Sequence, residues 1–149
     1  MTVGLGEWFF LGLVLLWFAI SAVLSLASGW HALARRFRSD EPVEGERVRC
    51  RATAMGWRGL PMSYGRCVYT TVGRRALALS VITPFRFLHP PLVIPWAEVE
   101  RCERVALWFR KCVSVHVRGH GRGLTFHESV GEPMLEAWTK ANEATIRVA

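Results

Sequence analysis

Aspartate is almost absent from this chain, because Asp40 is the only one among its 149 residues. Asp40 falls in a predicted linker, so the folded domain that follows has no Ser-His-Asp arrangement. Paired-carboxylate chemistry would have to use glutamates, namely Glu98, Glu100, Glu103 or Glu128. Glu98 and Glu100 lie on the same side of a predicted strand, which favours a role as solvated partners of nearby arginines. We therefore expect no catalytic residues and no enzymatic activity.

Metal-binding patterns are also missing, since neither C-x-x-C nor H-E-x-x-H occurs. His116, His120 and His127 gather with Cys112 around one predicted hairpin. The strand period of two places only His116 and Cys112 on a common face. We expect neither a metal site nor a cofactor.

Charged residues are absent from Trp8 to Ala34. An uncharged apolar run of this length exceeds the roughly 20 residues that a helix needs to cross a hydrocarbon core of about 30 Å. Trp8 and Trp30 bracket the run, as indoles do at the two boundaries between water and lipid. The run predicts one transmembrane helix. With 51% hydrophobic residues in the whole chain, the remainder suits a single domain of ordinary size.

The flanks of the apolar run favour a retained anchor over a cleaved signal peptide. Leu26 to Gly29 does contain small residues of the kind that a signal peptidase accepts. However, no Lys or Arg precedes the run, whereas Arg35, Arg36 and Arg38 follow it. The positive-inside tendency then predicts a single-pass protein of the cell (inner) membrane, with its N-terminus outside and its C-terminal domain in the cytoplasm.

Small residues recur at three- and four-residue spacing in the apolar run, at Ser21, Ala22, Ser25 and Ser28. Such spacing is typical of a face on which two membrane helices pack, which would allow a homodimer. Small residues are also common in any membrane helix, so this alternative stays open.

The rest of the chain predicts a linker and one mainly β domain. We divide the sequence into an anchor with its basic flank (residues 1–38), a linker (39–45) and a domain (46–149). Alternation and β-branched residues predict about seven short strands, at residues 47–54, 64–72, 76–82, 92–94, 96–105, 111–117 and 124–126. Prolines around residues 92–94 confine that strand to a sheet edge or to a short length. Val130, Met134, Trp138 and Ala141 recur at helical spacing and predict a closing amphipathic helix, with Trp96 and Trp138 in the core.

The segment from His89 to Val99, HPPLVIPWAEV, resembles a stretch found in small bacterial membrane-anchored proteins that carry a pleckstrin-homology-like (PH-like) or GRAM-like domain. The order of about seven strands followed by one helix is similar to that superfold over residues 45–145. The resemblance implies a bent antiparallel sheet or barrel capped by a C-terminal amphipathic helix. It also implies a habit of binding lipids or peptides, but it supplies no ligand residues.

Basic residues dominate the chain after residue 34, with 19 Lys and Arg against 11 Asp and Glu. Such a charge attracts phosphate groups, and the membrane segment favours lipid as their source. The candidate anion- or lipid-binding residues are Arg47, Arg49, Arg51 and Arg58 around the first hairpin, and Arg118 and Arg122 in a glycine-rich turn. The sequence thus predicts a membrane-tethered interaction module that binds anionic lipid or an acidic protein partner. The alternative is a membrane-attached nucleic-acid-binding domain, which is disfavoured because few aromatic residues lie among the arginines.

The four cysteines fall into two sequence pairs, Cys50 with Cys67 and Cys102 with Cys112. Each pair is placed nearly symmetrically about a predicted turn, so each could lie across neighbouring strands. In a reducing cytoplasm we expect buried thiols, and in an oxidising compartment the same pairs could form disulfides.

Overall fold

The computed structural model describes residues 4–50, 52–55, 61–121 and 123–148. These residues form two N-terminal helices, nine short strands and one C-terminal helix. The helices are α1 (Leu5–Ala27), α2 (Trp30–Phe37) and α3 (Glu128–Val148). The strands are β1 (Arg47–Cys50), β2 (Ala52–Met55), β3 (Pro61–Ser63), β4 (Val68–Val72), β5 (Ala76–Val81), β6 (Leu92–Pro95), β7 (Val99–Leu107), β8 (Arg110–Val117) and β9 (Gly123–His127).

Helix α1 has 23 residues and is the one helix among the described residues that is long and apolar enough to cross a membrane. Its large side chains are mostly exposed on the surface of the chain, including Phe9 at 71% and Leu26 at 63%. An apolar helix that projects from its domain in this way needs an apolar environment around it. The predicted apolar N-terminal helix is therefore confirmed as a candidate membrane span.

Two antiparallel sheets form the β domain. Sheet A has the strand order β1-β4-β5-β6, and sheet B has the order β3-β2-β9-β8-β7. A single residue separates β1 from β2, so the segment from Arg47 to Met55 leaves sheet A and continues in sheet B. The segment from Pro61 to Val72 passes in the opposite direction, from β3 in sheet B to β4 in sheet A. Strands that change sheets in this way make the corners between two packed sheets.

The mainly β fold class is confirmed, and the hairpin predicted from residues 47–54 and 64–72 is present as the β1–β4 and β2–β3 pairs. Among the described residues, however, the two sheets do not close into a barrel. The described residues form nine strands rather than seven, because the predicted strand 47–54 is divided into β1 and β2 and because β3 lies just before the predicted strand 64–72. Strand β7 begins at Val99 rather than at Trp96, since Trp96–Glu98 forms a 3₁₀ turn. The proline-flanked strand β6 has four residues and lies at an edge of sheet A, as predicted.

Helix α2 belongs to the core of the β domain. Its buried residues Trp30, Leu33, Ala34 and Phe37 lie in the same apolar cluster as the strands. Residues 30–37, which the sequence suggested as the end of the anchor and its flank, therefore contribute to the packing of the domain. Gly29 separates α1 from α2 with a φ of 81°, a conformation that residues with a side chain rarely adopt. After α2, the backbone of Arg38 pairs with Leu92 of β6.

Helix α3 covers sheet B, with Val130 and Met134 buried and Trp138 and Ala141 packed partly buried against the core. The indole Nε1 of Trp138 donates to the carbonyl of Val99 at 3.1 Å. Trp96 is buried as predicted, and its Nε1 donates to the carbonyl of Gly73 at 2.9 Å. These contacts place the helix along one side of the domain, away from α1.

We expect Leu33→Ala to lower the free energy of unfolding by about 2 to 5 kcal/mol, because it removes a fully buried leucine from α2. His31→Ala, on the exposed face of the same helix, is the matched control and should change stability little. Thermal unfolding of the full chain in detergent measures both. Equal melting temperatures for the two variants would show that α2 is not part of the folded core.

Candidate functional site

The end of α1 is attached to the β domain by three hydrogen bonds. The hydroxyl of Ser25 donates to the carbonyl of Leu88 at 2.7 Å. The hydroxyls of Ser28 and Tyr64 are hydrogen-bonded to each other, and the indole Nε1 of Trp30 donates to the carbonyl of Pro90 at 3.0 Å. We call this contact region the helix–domain junction.

The small residues that suggested a helix-packing face lie at this junction. Ser21, Ser25 and Ser28 are buried against the chain's own domain. Small side chains allow the loops of the domain to approach the helix closely, much as they would allow a second helix to do so. The structure thus gives these serines an intramolecular role, and a homodimer through α1 stays a prediction.

Three rings pack together at the junction. The centroids of Trp30, Tyr64 and His89 lie 5.4 to 5.6 Å from one another. Burial raises the pKa of Tyr64 to about 12, partly offset by its hydrogen bond with Ser28. Burial also lowers the pKa of His89 below its ordinary value, against an opposing effect of its hydrogen bond to Phe85. His89 is therefore neutral at physiological pH.

The hydrogen bond of His89 fixes its tautomer. Its Nδ1 lies 3.1 Å from the carbonyl of Phe85, and because a carbonyl only accepts, Nδ1 carries the hydrogen. Its Nε2 is buried and has no hydrogen-bond partner among the described residues. A cavity of about 100 Å³ adjoins the ring and is lined also by Leu24, Cys67 and Phe85. It is mostly apolar, and at this size it has room for a water molecule or a short alkyl group.

Basic side chains surround the junction. We define the basic collar as four exposed arginines on segments that contact or directly follow the end of α1: Arg35, Arg38, Arg66 and Arg86. Arg86 forms an ion pair with Asp40 at 3.2 Å. The side chains of Arg35 and Arg38 have no partner among the described residues. Their charges are available to an external anion.

The predicted site residues fall on two separate surfaces. Arg47 stacks on the ring of Tyr69 at 4.2 Å and donates to Ser80 Oγ, while Arg49 donates through Nε to the carbonyl of Arg66. Both lie on the outer face of sheet A. Arg118 lies elsewhere, beside α2, where its carbonyl accepts from Arg36. Arg51, Arg58 and Arg122 lie outside the described residues.

The residues that sequence reasoning missed are the arginines of α2. Arg35, Arg36 and Arg38 were used only to predict orientation, although their position directly after the apolar run also places them close to the end of the candidate membrane span. Arg36 additionally pairs with Glu98 at 3.2 Å and so connects α2 to the start of β7. The signal for this site was therefore present in the sequence.

A second concave surface lies between sheet A and α3. This cleft of about 800 Å³ has an apolar lining from Val48 and Val72 on the sheet and from Ala137 and Ala141 on the helix. Its rim carries charges of both signs, from Glu44, Glu46, Arg74, Glu136 and Lys140. Such a lining suits an apolar group, but the charges on the rim favour neither an anion nor a cation.

Ser114, His116 and Glu103 lie close together without the geometry of a nucleophilic triad. Nε2 of His116 lies 3.1 Å from Ser114 Oγ and 3.5 Å from Glu103 Oε1. A triad needs the serine and the carboxylate on opposite ring nitrogens, so that one takes a proton while the other orients the ring. Here both contact the same nitrogen. No group of three or more His, Cys, Asp or Glu residues able to hold a metal ion occurs in the part of the chain that the structure describes.

The strand register does not place the members of either suggested cysteine pair directly opposite each other. Cys50 is opposite Val68 in the β1–β4 register, and Cys102 is opposite Val115 in the β7–β8 register. Cys67, Cys102 and Cys112 are free thiols. Burial raises the pKa of Cys102 to about 11, with Glu132 and Glu103 adding to the effect. Its thiol stays protonated at neutral pH and is a poor nucleophile.

Comparison with known proteins assigns the chain to no family: no protein-family model matches the sequence, and no curated protein is significantly similar to it.

The neutral His89 predicts a pH dependence of stability. The pKa of His89 is lower in the folded protein than the value of 6.5 that it has in the unfolded chain. Its contribution to the free energy of unfolding is therefore fully present above pH 6.5, and it is lost as the pH falls through the pKa of the folded state, because the unfolded chain binds the proton more readily. Tyr64, which faces it, does not titrate in this range. We expect the melting temperature of the full chain in detergent to fall on acidification below about pH 6.5, and to fall less for His89→Phe. Identical pH profiles for the two proteins would contradict the neutral, buried histidine.

Proposed function

We propose that this protein is a single-pass membrane-anchored interaction module, with a PH-like β domain that binds anionic lipid head groups at the bilayer surface. The observation that carries the proposal is the helix–domain junction. Helix α1 is long and apolar enough to span a membrane, and its last turn is hydrogen-bonded directly to the loops of the domain. A domain attached in this way is held against the lipid surface.

The PH-like assignment is supported by the order and bending of the elements. Seven strand-forming segments precede one C-terminal helix, and the first two segments bend so that each contributes to both sheets. The helix then covers sheet B, as an amphipathic helix must when two sheets leave an apolar face open.

Head-group binding is assigned to the basic collar. Arg35 and Arg38 follow the last residue of α1 by 8 and 11 positions, so a helical rise places them at most about 12 and 17 Å beyond it. Arg66 lies two positions from Tyr64, which is hydrogen-bonded to Ser28 just after the end of α1. These charges therefore surround the point where the chain would leave the hydrocarbon, which is where phosphate groups lie.

The proposed orientation of the protein in the membrane depends on the same arginines. Basic residues close to the end of a span are retained on the cytoplasmic side. The proposal accordingly places the N-terminus outside and the β domain in the cytoplasm, where the inner leaflet carries anionic lipid.

The test is lipid selectivity around the full chain in reconstituted bilayers. Energy transfer from tryptophan to dansyl-labelled lipids should show enrichment of phosphatidylglycerol over phosphatidylcholine, and the enrichment should fall as salt shortens the screening length below about 8 Å. Each arginine near an anionic surface contributes about 1 kcal/mol. We therefore expect the triple variant Arg35→Gln, Arg38→Gln and Arg66→Gln to lose most of the enrichment.

The matched control removes three exposed arginines far from the junction, in Arg74→Gln, Arg110→Gln and Arg147→Gln. These residues lie on the β4–β5 turn, at the start of β8 and near the end of α3. The control has the same net charge as the collar variant and should keep the lipid enrichment. Equal enrichment in the two variants would reject the collar as the lipid-binding surface.

A further inference from the structure

Residues 82–91, which connect β5 to β6, form a loop rich in apolar side chains that we call the aromatic loop. Phe87 is 77% exposed in this loop, while Phe85 and Leu88 are partly buried. Because its ring packs against Phe18, Phe87 continues the exposed apolar surface of α1, and a contiguous exposed apolar patch marks a surface that has a partner. The question is which partner covers this one.

The aromatic loop packs along the C-terminal third of α1. The rings of Trp17 and Phe85 lie 5.8 Å apart, and those of Phe18 and Phe87 lie 5.6 Å apart. Nearer the helix end, Ser25 Oγ donates to the carbonyl of Leu88. The loop therefore lies beside residues 17–25 of α1, and Phe87 is level with Phe18.

The other sides of the same helical turns remain exposed and apolar. Ile20 is 50% exposed, Val23 61% and Leu26 63%. The part of α1 before the loop contacts, residues 5–16, is only about 18 Å long. This is too short for a hydrocarbon core of about 30 Å. Lipid must therefore extend along residues 17–26 as well, and it meets the aromatic loop at the same depth.

The backbone of the loop is suited to such an environment. Within it, the amides of Phe85, Arg86 and His89 donate to the carbonyls of Ile82, Thr83 and Arg86. The carbonyls of Phe85, Leu88 and Pro90 accept from His89, Ser25 and Trp30. Irregular backbone is tolerated at membrane depth only where its polar groups are satisfied by the protein. The one charged residue, Arg86, forms an exposed ion pair with Asp40. The long side chain of Arg86 allows its charge to extend from the loop to the level of the head groups.

We infer that the aromatic loop is embedded in the hydrocarbon of the leaflet nearest the domain, with acyl chains of the bilayer as the partner of Phe87. This inference rests on the proposed function, because it requires α1 to span the membrane. Phe18 and Ser25, which contact Phe87 and Leu88, are nine and two residues from the end of α1, so this part of the loop lies roughly 3 to 14 Å inside the end of the span. The domain then has two insertions into the bilayer, the helix and the loop, and cannot rotate about the helix axis.

The test measures depth at three positions of the full chain in liposomes. A small fluorescent amino acid is introduced genetically, one position at a time, in place of Ile20, Phe87 or Trp108, and is quenched by phospholipids with spin labels along the acyl chain. Trp108 is the control because it is equally exposed, at 78%, but lies at the far end of β7, about 26 Å along the strand from Val99. All three side chains are exposed, so the substitutions should not disturb packing.

We expect quenching at position 87 to match that at position 20 and to exceed that at position 108 several-fold. Quenching at position 20 without quenching at 87 would overturn the embedded loop and leave the membrane anchor intact. Absence of quenching at position 20 would overturn the membrane anchor and the inference with it. Equal quenching at positions 87 and 108 would also overturn the inference, because it would reflect general contact of the domain with lipid.

Discussion

The burial of Trp30 is the constraint on which the rest of the structure depends. Its indole is 3% exposed, packs against Tyr64 and His89, and donates to the carbonyl of Pro90. Trp30 lies only three residues after the last residue of α1. Helix α2, which begins with Trp30, therefore belongs to the core of the β domain, and only Ser28 and Gly29 separate it from the apolar helix α1.

This short connection and the hydrogen bonds of the helix–domain junction determine how the charged and apolar surfaces are presented. The basic collar lies near the end of α1 and the aromatic loop lies along its side. In the proposed arrangement, arginines of the collar contact phosphate groups and Phe87 contacts acyl chains. Residues 39–45 follow α2, which is already part of the domain. Their length therefore does not set the distance of the basic collar or of the aromatic loop from α1.

Much of the fold could be predicted from the sequence because it depends on local patterns. The uncharged run predicted α1, prolines predicted the edge position of β6, and helical spacing predicted the buried side of α3. The role of Trp30 could not be predicted in this way, since a tryptophan at the end of an apolar run fits both a membrane boundary and a buried core. Only the tertiary contacts with Tyr64 and His89 distinguish the two.

The register of the strands could not be predicted from the sequence either. The β7–β8 turn is formed by Trp108 and Phe109, both with positive φ, where Asn and Gly are the usual residues. Nothing in this pair indicates a tight turn. The symmetry of Cys102 and Cys112 predicted a turn centred at Leu107, whereas the observed turn is centred between Trp108 and Phe109. A shift of that size was enough to misplace the partner of Cys102. The candidate site was predicted in part: Arg49 contacts the backbone of the collar residue Arg66, whereas Arg35 and Arg38 were recognised only as topology signals.

The central claim is that α1 and the β domain form one rigid unit. The distance between spin labels at Ala19 on α1 and Ala106 on β7, both exposed, tests it most directly when the labels are attached through thiol-independent chemistry and the full chain is in liposomes. The account predicts a single narrow distance distribution, which broadens when Trp30→Ala removes the contacts that hold the start of α2 in the domain. A broad distribution in the unaltered chain would show a flexibly tethered domain and would contradict the account.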